Sequence, residues 1–217
     1  MNILILGATG RTGKYTLSQA LERGHIVNVL VRDPAKITPH HQLNIFRGTP
    51  TDKIALSTAM TGCEAVLSTL NISRNNDFPW SSLRTPKDFL TDTIRNVIEL
   101  AAESSIKRIV VCSAWGVAET RSELPGWFRW MIDNSNIGPA YQQHEQVEKI
   151  LAATEFDWTV VRPAALTNSP KLKPLKISVP GQPTGHSYFV SRQNVARFML
   201  NALENNLYVR ELPTISE

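Results

Sequence analysis

The chain has 217 residues, with 23 Lys and Arg against 19 Asp and Glu, a formal net charge of +4 and 42% hydrophobic side chains. That length suits one large domain better than two, and the apolar content is enough for a core and too high for disorder. Basic residues are spread along the chain, with one small cluster at Lys171, Lys173 and Lys176 that reads as a solvated loop, so no nucleic-acid partner is expected.

The first apolar run predicts a strand over Asn2 to Leu6. Its Ile3 to Leu6 stretch is too short for a signal-peptide core or a membrane span, so a cytoplasmic protein with no membrane partner is expected. The strand runs straight into Gly7-Ala8-Thr9-Gly10-Arg11-Thr12-Gly13. Behind it Leu17, Ala20, Leu21 and Gly24 recur at helical spacing. Glycines at every third position let the backbone turn tightly, let a pyrophosphate approach the main chain, and let the helix pack close to the strand. The helix N-terminus then offers N–H groups and partial positive charge to phosphates. A nucleoside-triphosphate loop does not fit, because Ala8 stands at a required glycine and Tyr15 follows Lys14.

The second strand, Ile26 to Val31, ends in Arg32-Asp33-Pro34. An acid in first place there would hold the ribose hydroxyls of NAD, whereas an arginine pairs with the extra phosphate of NADP. Arg32, with Arg11 able to approach the same phosphate, therefore favours NADP(H) over NAD(H). In the alternative, Arg32 faces solvent and Asp33 caps the turn before Pro34, leaving specificity open.

Further strands are expected over Leu43 to Arg47, Ala65 to Thr69, Arg108 to Cys112 and Trp158 to Arg162. Helical stripes fall on Ile94, Val97, Ile98 and Ala101, then on about Tyr141 to Ala153, and on about Arg192 to Leu203. This alternation predicts an α/β fold, a doubly wound parallel sheet of Rossmann type in a single domain. Residues 163–190 carry five prolines and little periodicity, and are expected to form a small irregular region covering the substrate side. Cys63 and Cys112, each inside an apolar segment, read as buried thiols, with no disulfide framework or zinc spacing.

GATGRTG, LVRDP, VVCSA, HEQVEKIL, DWTVVRPA and FVSRQNVARFML together resemble the atypical short-chain dehydrogenase/reductase proteins that bind NAD(P)H, most closely the biliverdin reductase B and flavin reductase branch. The similarity covers nearly the whole chain. It implies a phosphate loop at Gly7, Thr9, Gly10, Arg11, Thr12 and Gly13, with Arg32 at the adenosine phosphate. It also implies Thr69, Leu70 and Asn71 along the nicotinamide half, Cys112 and Pro163 beside the cofactor, an active-site serine at Ser113 and a pocket histidine at His144. Two departures stand out. Gly48-Thr49-Pro50 replaces a common Gly-Asp-Val, and the Tyr-x-x-x-Lys pair is missing, since Tyr141 is followed by Glu145 and Tyr188 by Arg192.

Without that lysine, reducing an isolated ketone lacks its tuned acid. A flavin, quinone or linear tetrapyrrole spreads the incoming charge over a conjugated ring and needs mainly positioning. Tyr141 and His144, three residues apart on one helix, are expected to look into one crevice with Ser113, and His144 is a candidate proton donor. Trp127, Phe128 and Trp130 are expected to form a lid that stacks on a planar substrate or, in the alternative, an oligomer contact or packing on their own domain, and Trp115 with the Phe78-Pro79-Trp80 turn to line the same pocket. The expected function is an NADP(H)-dependent reductase of a flat small-molecule acceptor, with oligomeric state open. The rivals are a non-catalytic redox sensor similar to NmrA and, third, a nucleotide-sugar epimerase.

Overall fold

The alternating apolar runs and amphipathic stretches become strands backed by helices in the computed structural model, which describes residues 1–180, 185 and 187–217. In chain order the elements are β1 (Asn2–Leu6), α1 (Gly13–Glu22), β2 (Ile26–Val31), β3 (Leu43–Arg47), α2 (Lys53–Met60), β4 (Ala65–Ser68), α3 (Phe89–Ala102) and β5 (Arg108–Cys112). Then follow α4 (Gly126–Asp133), α5 (Gly138–Ala152), β6 (Asp157–Pro163), β7 (Ala165–Thr167), β8 (Lys176–Ser178), β9 (Phe189–Ser191), α6 (Arg192–Glu204) and β10 (Thr214–Ser216).

Eight strands form one sheet in the order β3-β2-β1-β4-β5-β6-β10-β8, parallel throughout except for β8. Each central strand is covered on both faces, which is why it reads as a continuous apolar run. Successive side chains point to opposite faces. Ile3 and Ile5 therefore pack with Leu17, Ala20, Val195 and Met199 of α1 and α6, while Leu4 and Leu6 pack with Leu56, Ile94, Val97, Val147 and Leu151 of α2, α3 and α5. The chain order reverses between β1 and β4, and that switch point opens a crevice at the strands' C-terminal ends.

Four expectations change. Gly24 is exposed and lies beyond α1, so it is not part of that helix's buried stripe. Helix α2 was not expected; its eight residues are too few for a clear period, although Asp52 caps it by accepting from Ile54 N at 3.0 Å and Ala55 N at 3.2 Å. The stretch 163–190 is not wholly irregular, since β8 pairs with β10 in the main sheet and β7 pairs with β9. Three-residue strands carry no readable alternation. Residues 181–184 and 186 of that stretch lie outside the described residues. Finally, the aromatic segment is not a loop lid but helix α4. No described helix is long and apolar enough to cross a membrane.

Candidate active site

The glycine loop closes on itself and leaves the helix end open. Gly10 N donates to the Gly7 carbonyl at 2.8 Å. Gly7 adopts φ +87°, and a Cβ on Gly13 would lie 2.0 Å from Gly7 O. Both positions thus require glycine, one for its backbone angle and one for the close approach of helix to strand. Thr12, at the N-cap of α1, makes no side-chain cap, and the first turn carries no acid. An anion is the natural partner of such an end.

Beside the loop runs a crevice of about 490 Å³. It is lined by Gly7, Thr9, Gly10, Arg11, Thr12, Arg32, Thr69, Leu70, Asn71, Cys112, Ser113 and His144 among others, so the structure brings these sequence-selected residues together. Its lining also holds Gly48, Thr49 and Pro50, and three arginines that sequence reasoning missed: Arg74, Arg84 and Arg192. With Arg11 and Arg32 that makes five arginines against one acid, Asp77, a balance that concentrates anions. Arg32 is exposed at the end of β2 and pairs with no described residue. Asp33 does cap the following turn, accepting from Ala35 N at 3.3 Å, so the two readings of this dipeptide are compatible. Arg11, expected beside Arg32, instead pairs with Asp77 of the loop after β4, at 2.7 and 3.0 Å. Both partners are largely exposed, and such a pair contributes little, so a phosphate readily displaces it.

Ser113 follows β5 and is buried, its N–H donating to Val161 O at 2.7 Å. Its hydroxyl donates to Glu148 Oε1 at 2.7 Å. Arg162 grips the same carboxylate with Nε at 3.1 Å and Nη2 at 2.6 Å, and its Nη1 pairs with Glu119. Burial works against the Arg162 charge, and Glu148 and Glu119 outweigh it, raising its pKa above the usual guanidinium value. Sequence reasoning missed this cluster. The available signal was an arginine inside the apolar run of β6, which must find a buried partner.

His144 is 4% exposed and lines both the crevice and a small, largely apolar pocket of about 20 Å³. Burial pulls its pKa down to about 4, so the ring is neutral near pH 7 and does not serve as an imidazolium acid. The unfolded His titrates near 6.5, so the folded state resists protonation and loses stability as pH falls from about 6.5 toward 4. We expect His144→Gln to remove about 3 kcal/mol of that acid loss. Urea unfolding of both proteins at neutral pH and near pH 4 checks it, and identical pH dependence would refute it.

Other expected site residues lie elsewhere. Tyr141 does not line the crevice; its ring meets Phe128 edge-on at 6.4 Å and its OH reaches Trp115 O at 3.5 Å. Three residues along a helix leave about 60° between side chains, enough here to send Tyr141 and His144 to different neighbours. Burial pushes Tyr141 up to about 12. Trp115 is buried in the core, its Nε1 donating to Glu123 at 2.7 Å, rather than facing a substrate. Pro163 is buried at the end of β6, where its carbonyl accepts from Trp115 N at 2.9 Å, and is not among the crevice residues. Trp127 and Trp130 are 70% and 59% exposed on α4 and form no lid over the crevice. Cys112 does line it, as a thiol that burial pushes up to about 12.

Fold and crevice define a dinucleotide-binding protein of Rossmann type. The chain belongs to the NAD(P)H-binding family, whose pattern matches residues 7–206. Over 213 residues it is 27% identical to the photosystem II assembly factor Ycf39 of Trieres chinensis, with 94% of this chain aligned, and it spans only 60% of that longer protein. A short-chain dehydrogenase/reductase of Veillonella parvula, solved in complex with NADP, superposes with a TM-score of 0.79 at 19% identity, over 100% of this chain and 94% of that one. ChuY of Escherichia coli O157:H7, described as an anaerobillin reductase, superposes with a TM-score of 0.80 at 19% identity, over 100% and 97% of the two chains. At that identity the two structures testify to the fold.

Proposed function

We propose that this protein is an NADP(H)-dependent reductase of a flat conjugated acceptor, in the manner of the biliverdin reductase B and flavin reductase branch. The observation that carries the reading is that one crevice joins the open glycine loop, an Arg32 unpaired among the described residues, and the buried Ser113. Bound NADPH supplies the hydride. The loop and the N-terminus of α1 hold its diphosphate, and Arg32 holds the additional phosphate. Adjacent strands lie about 4.8 Å apart, so the ends of β4 and β5, carrying Thr69 to Asn71 and Ser113, extend along the nicotinamide half.

His144 is neutral, so this site orients two planar rings and leaves any proton to water. That division suits a flavin, quinone or linear tetrapyrrole, and the likeness to ChuY supports including tetrapyrroles. A second reading, binding without turnover, has one feature in its favour: Phe78, Trp80, Trp127 and Trp130 are all exposed outside the crevice, as a protein partner's surface would be. NADPH oxidation with a panel of the three acceptor classes separates the readings; tight NADPH binding with no turnover across the panel favours the second.

The cofactor preference is testable in the same preparation. Charge-assisted contacts contribute roughly 1.5 to 3 kcal/mol, so Arg32→Glu should weaken NADPH binding at least about tenfold and spare NADH. Calorimetric titration finding equal NADPH and NADH affinities in the parent would remove the claim.

A further inference from the structure

The Ser113 hydroxyl has a single hydrogen, and the fold directs it inward. Its partner, Glu148 Oε1 at 2.7 Å, belongs to a carboxylate whose two oxygens also receive Arg162 Nε and Nη2. A carboxylate held in this way accepts only, so the direction of the Ser113 bond is fixed. Water does not compete, because Ser113 and Glu148 are each 5% exposed and Arg162 is 1% exposed. Ser113 nevertheless lines the crevice, and what its oxygen has left to offer there is lone pairs. The charge behind it acts in the same sense. Arg162 faces two carboxylates, Glu148 and Glu119, so the cluster carries one excess negative charge. That charge strengthens Ser113 as an acceptor and opposes any carboxylate or bare carbonyl brought against it.

We propose that Glu148 is a positioning residue that makes Ser113 a hydrogen-bond acceptor, so that this subsite selects a ligand group bearing an N–H donor, the primary carboxamide of the nicotinamide. The inference rests on the dinucleotide reading above and adds its polarity. It reverses the usual expectation that an active-site serine donates to a ligand carbonyl, and it assigns a role to two buried charges, Glu148 and Arg162, that sequence reasoning passed over. Arg162 holds the carboxylate in place; Glu148 sets the hydroxyl; only Ser113 meets the ligand.

The test is calorimetric binding of NADP⁺ and of its 3-acetylpyridine analogue, in which a methyl ketone replaces the amide and no N–H remains. The parent should prefer NADP⁺ by about fivefold, the equivalent of one neutral hydrogen bond. Ser113→Thr keeps the hydroxyl and should keep the preference, whereas Ser113→Ala should bring the two ligands to near parity. In Glu148→Gln the new amide is able to donate to Ser113, freeing the hydroxyl hydrogen for the crevice, so the preference should vanish or reverse; an unfolding midpoint verifies that the variant is folded. Should it not fold, the Ser113→Thr and Ser113→Ala pair decides. Equal affinity of the parent for both ligands, or an undiminished preference in Ser113→Ala or in folded Glu148→Gln, overturns this inference and leaves the dinucleotide reading standing. A parent that binds neither NADP⁺ nor NADPH overturns both.

Discussion

Arg162→Met is expected to lower the unfolding free energy by about 3–5 kcal/mol, the cost of leaving a buried charge without its partner. The Arg162 side chain is 1% exposed and the Glu148 side chain 6%, so solvent cannot take the place of the guanidinium. Glu119 loses its partner too, but it is 57% exposed and water solvates it at little cost. A loss of this size is a large part of the roughly 5–15 kcal/mol that holds a typical domain folded. The double variant Arg162→Met/Glu148→Met should recover most of the loss, because an apolar pair of similar volume commonly replaces a buried ion pair without penalty. Urea titrations with a common slope measure both steps. A single-variant loss below about 1 kcal/mol would show that the cluster is solvated in solution and does not fix Ser113.

The second large effect is expected at Gly13→Ala. The added methyl would meet Gly7 O at 2.0 Å, Gly7 C at 2.7 Å and Thr69 Oγ1 at 2.8 Å. Two of these are backbone atoms and cannot swing aside, so the loop itself must move. Overpacking of this kind costs about 1–3 kcal/mol or more, and the displaced loop should reduce NADPH affinity at least about tenfold. Gly24→Ala serves as the comparison: its Cβ meets nothing within 4 Å, so its cost is confined to a side chain at φ +80°, outside the glycine loop. It should leave NADPH affinity unchanged. Equal NADPH affinity in Gly13→Ala and the parent would mean that the glycine loop does not bind the diphosphate.

Some of this architecture is written locally. The apolar runs of β1, β2 and β5 are bounded as the sequence implies, because strands covered on both faces need apolar residues and turns need their own chemistry; the half-buried edge strand β3 also keeps its expected bounds. The spacing of Gly7, Gly10 and Gly13 between a strand and a helix is likewise a local pattern with one physical use, and Arg32 follows from its place at the end of the second strand. The short strands β7 to β10 were not legible, since three residues show no period and exist only because a neighbour pairs with them.

The rest of the site was decided in three dimensions. Helical spacing put Tyr141 and His144 on neighbouring parts of one surface, but only packing sent Tyr141 to Phe128 and His144 into the crevice. Three aromatic rings in α4 suggested a lid, and the placement of that helix left Trp127 and Trp130 facing outward. Arg74, Arg84 and Arg192 come from two separate segments and meet around the same crevice. Ser113, Glu148 and Arg162 lie on β5, α5 and β6 respectively or at their ends, 35 and 14 residues apart in turn. The sequence by itself determined the strand-glycine-helix unit and the arginine that ends β2, because each depends on neighbours within a few residues. Tertiary structure alone decided which buried charges meet and which hydroxyl hydrogen they claim, because a buried ion must be matched by whatever distant segment the fold brings against it.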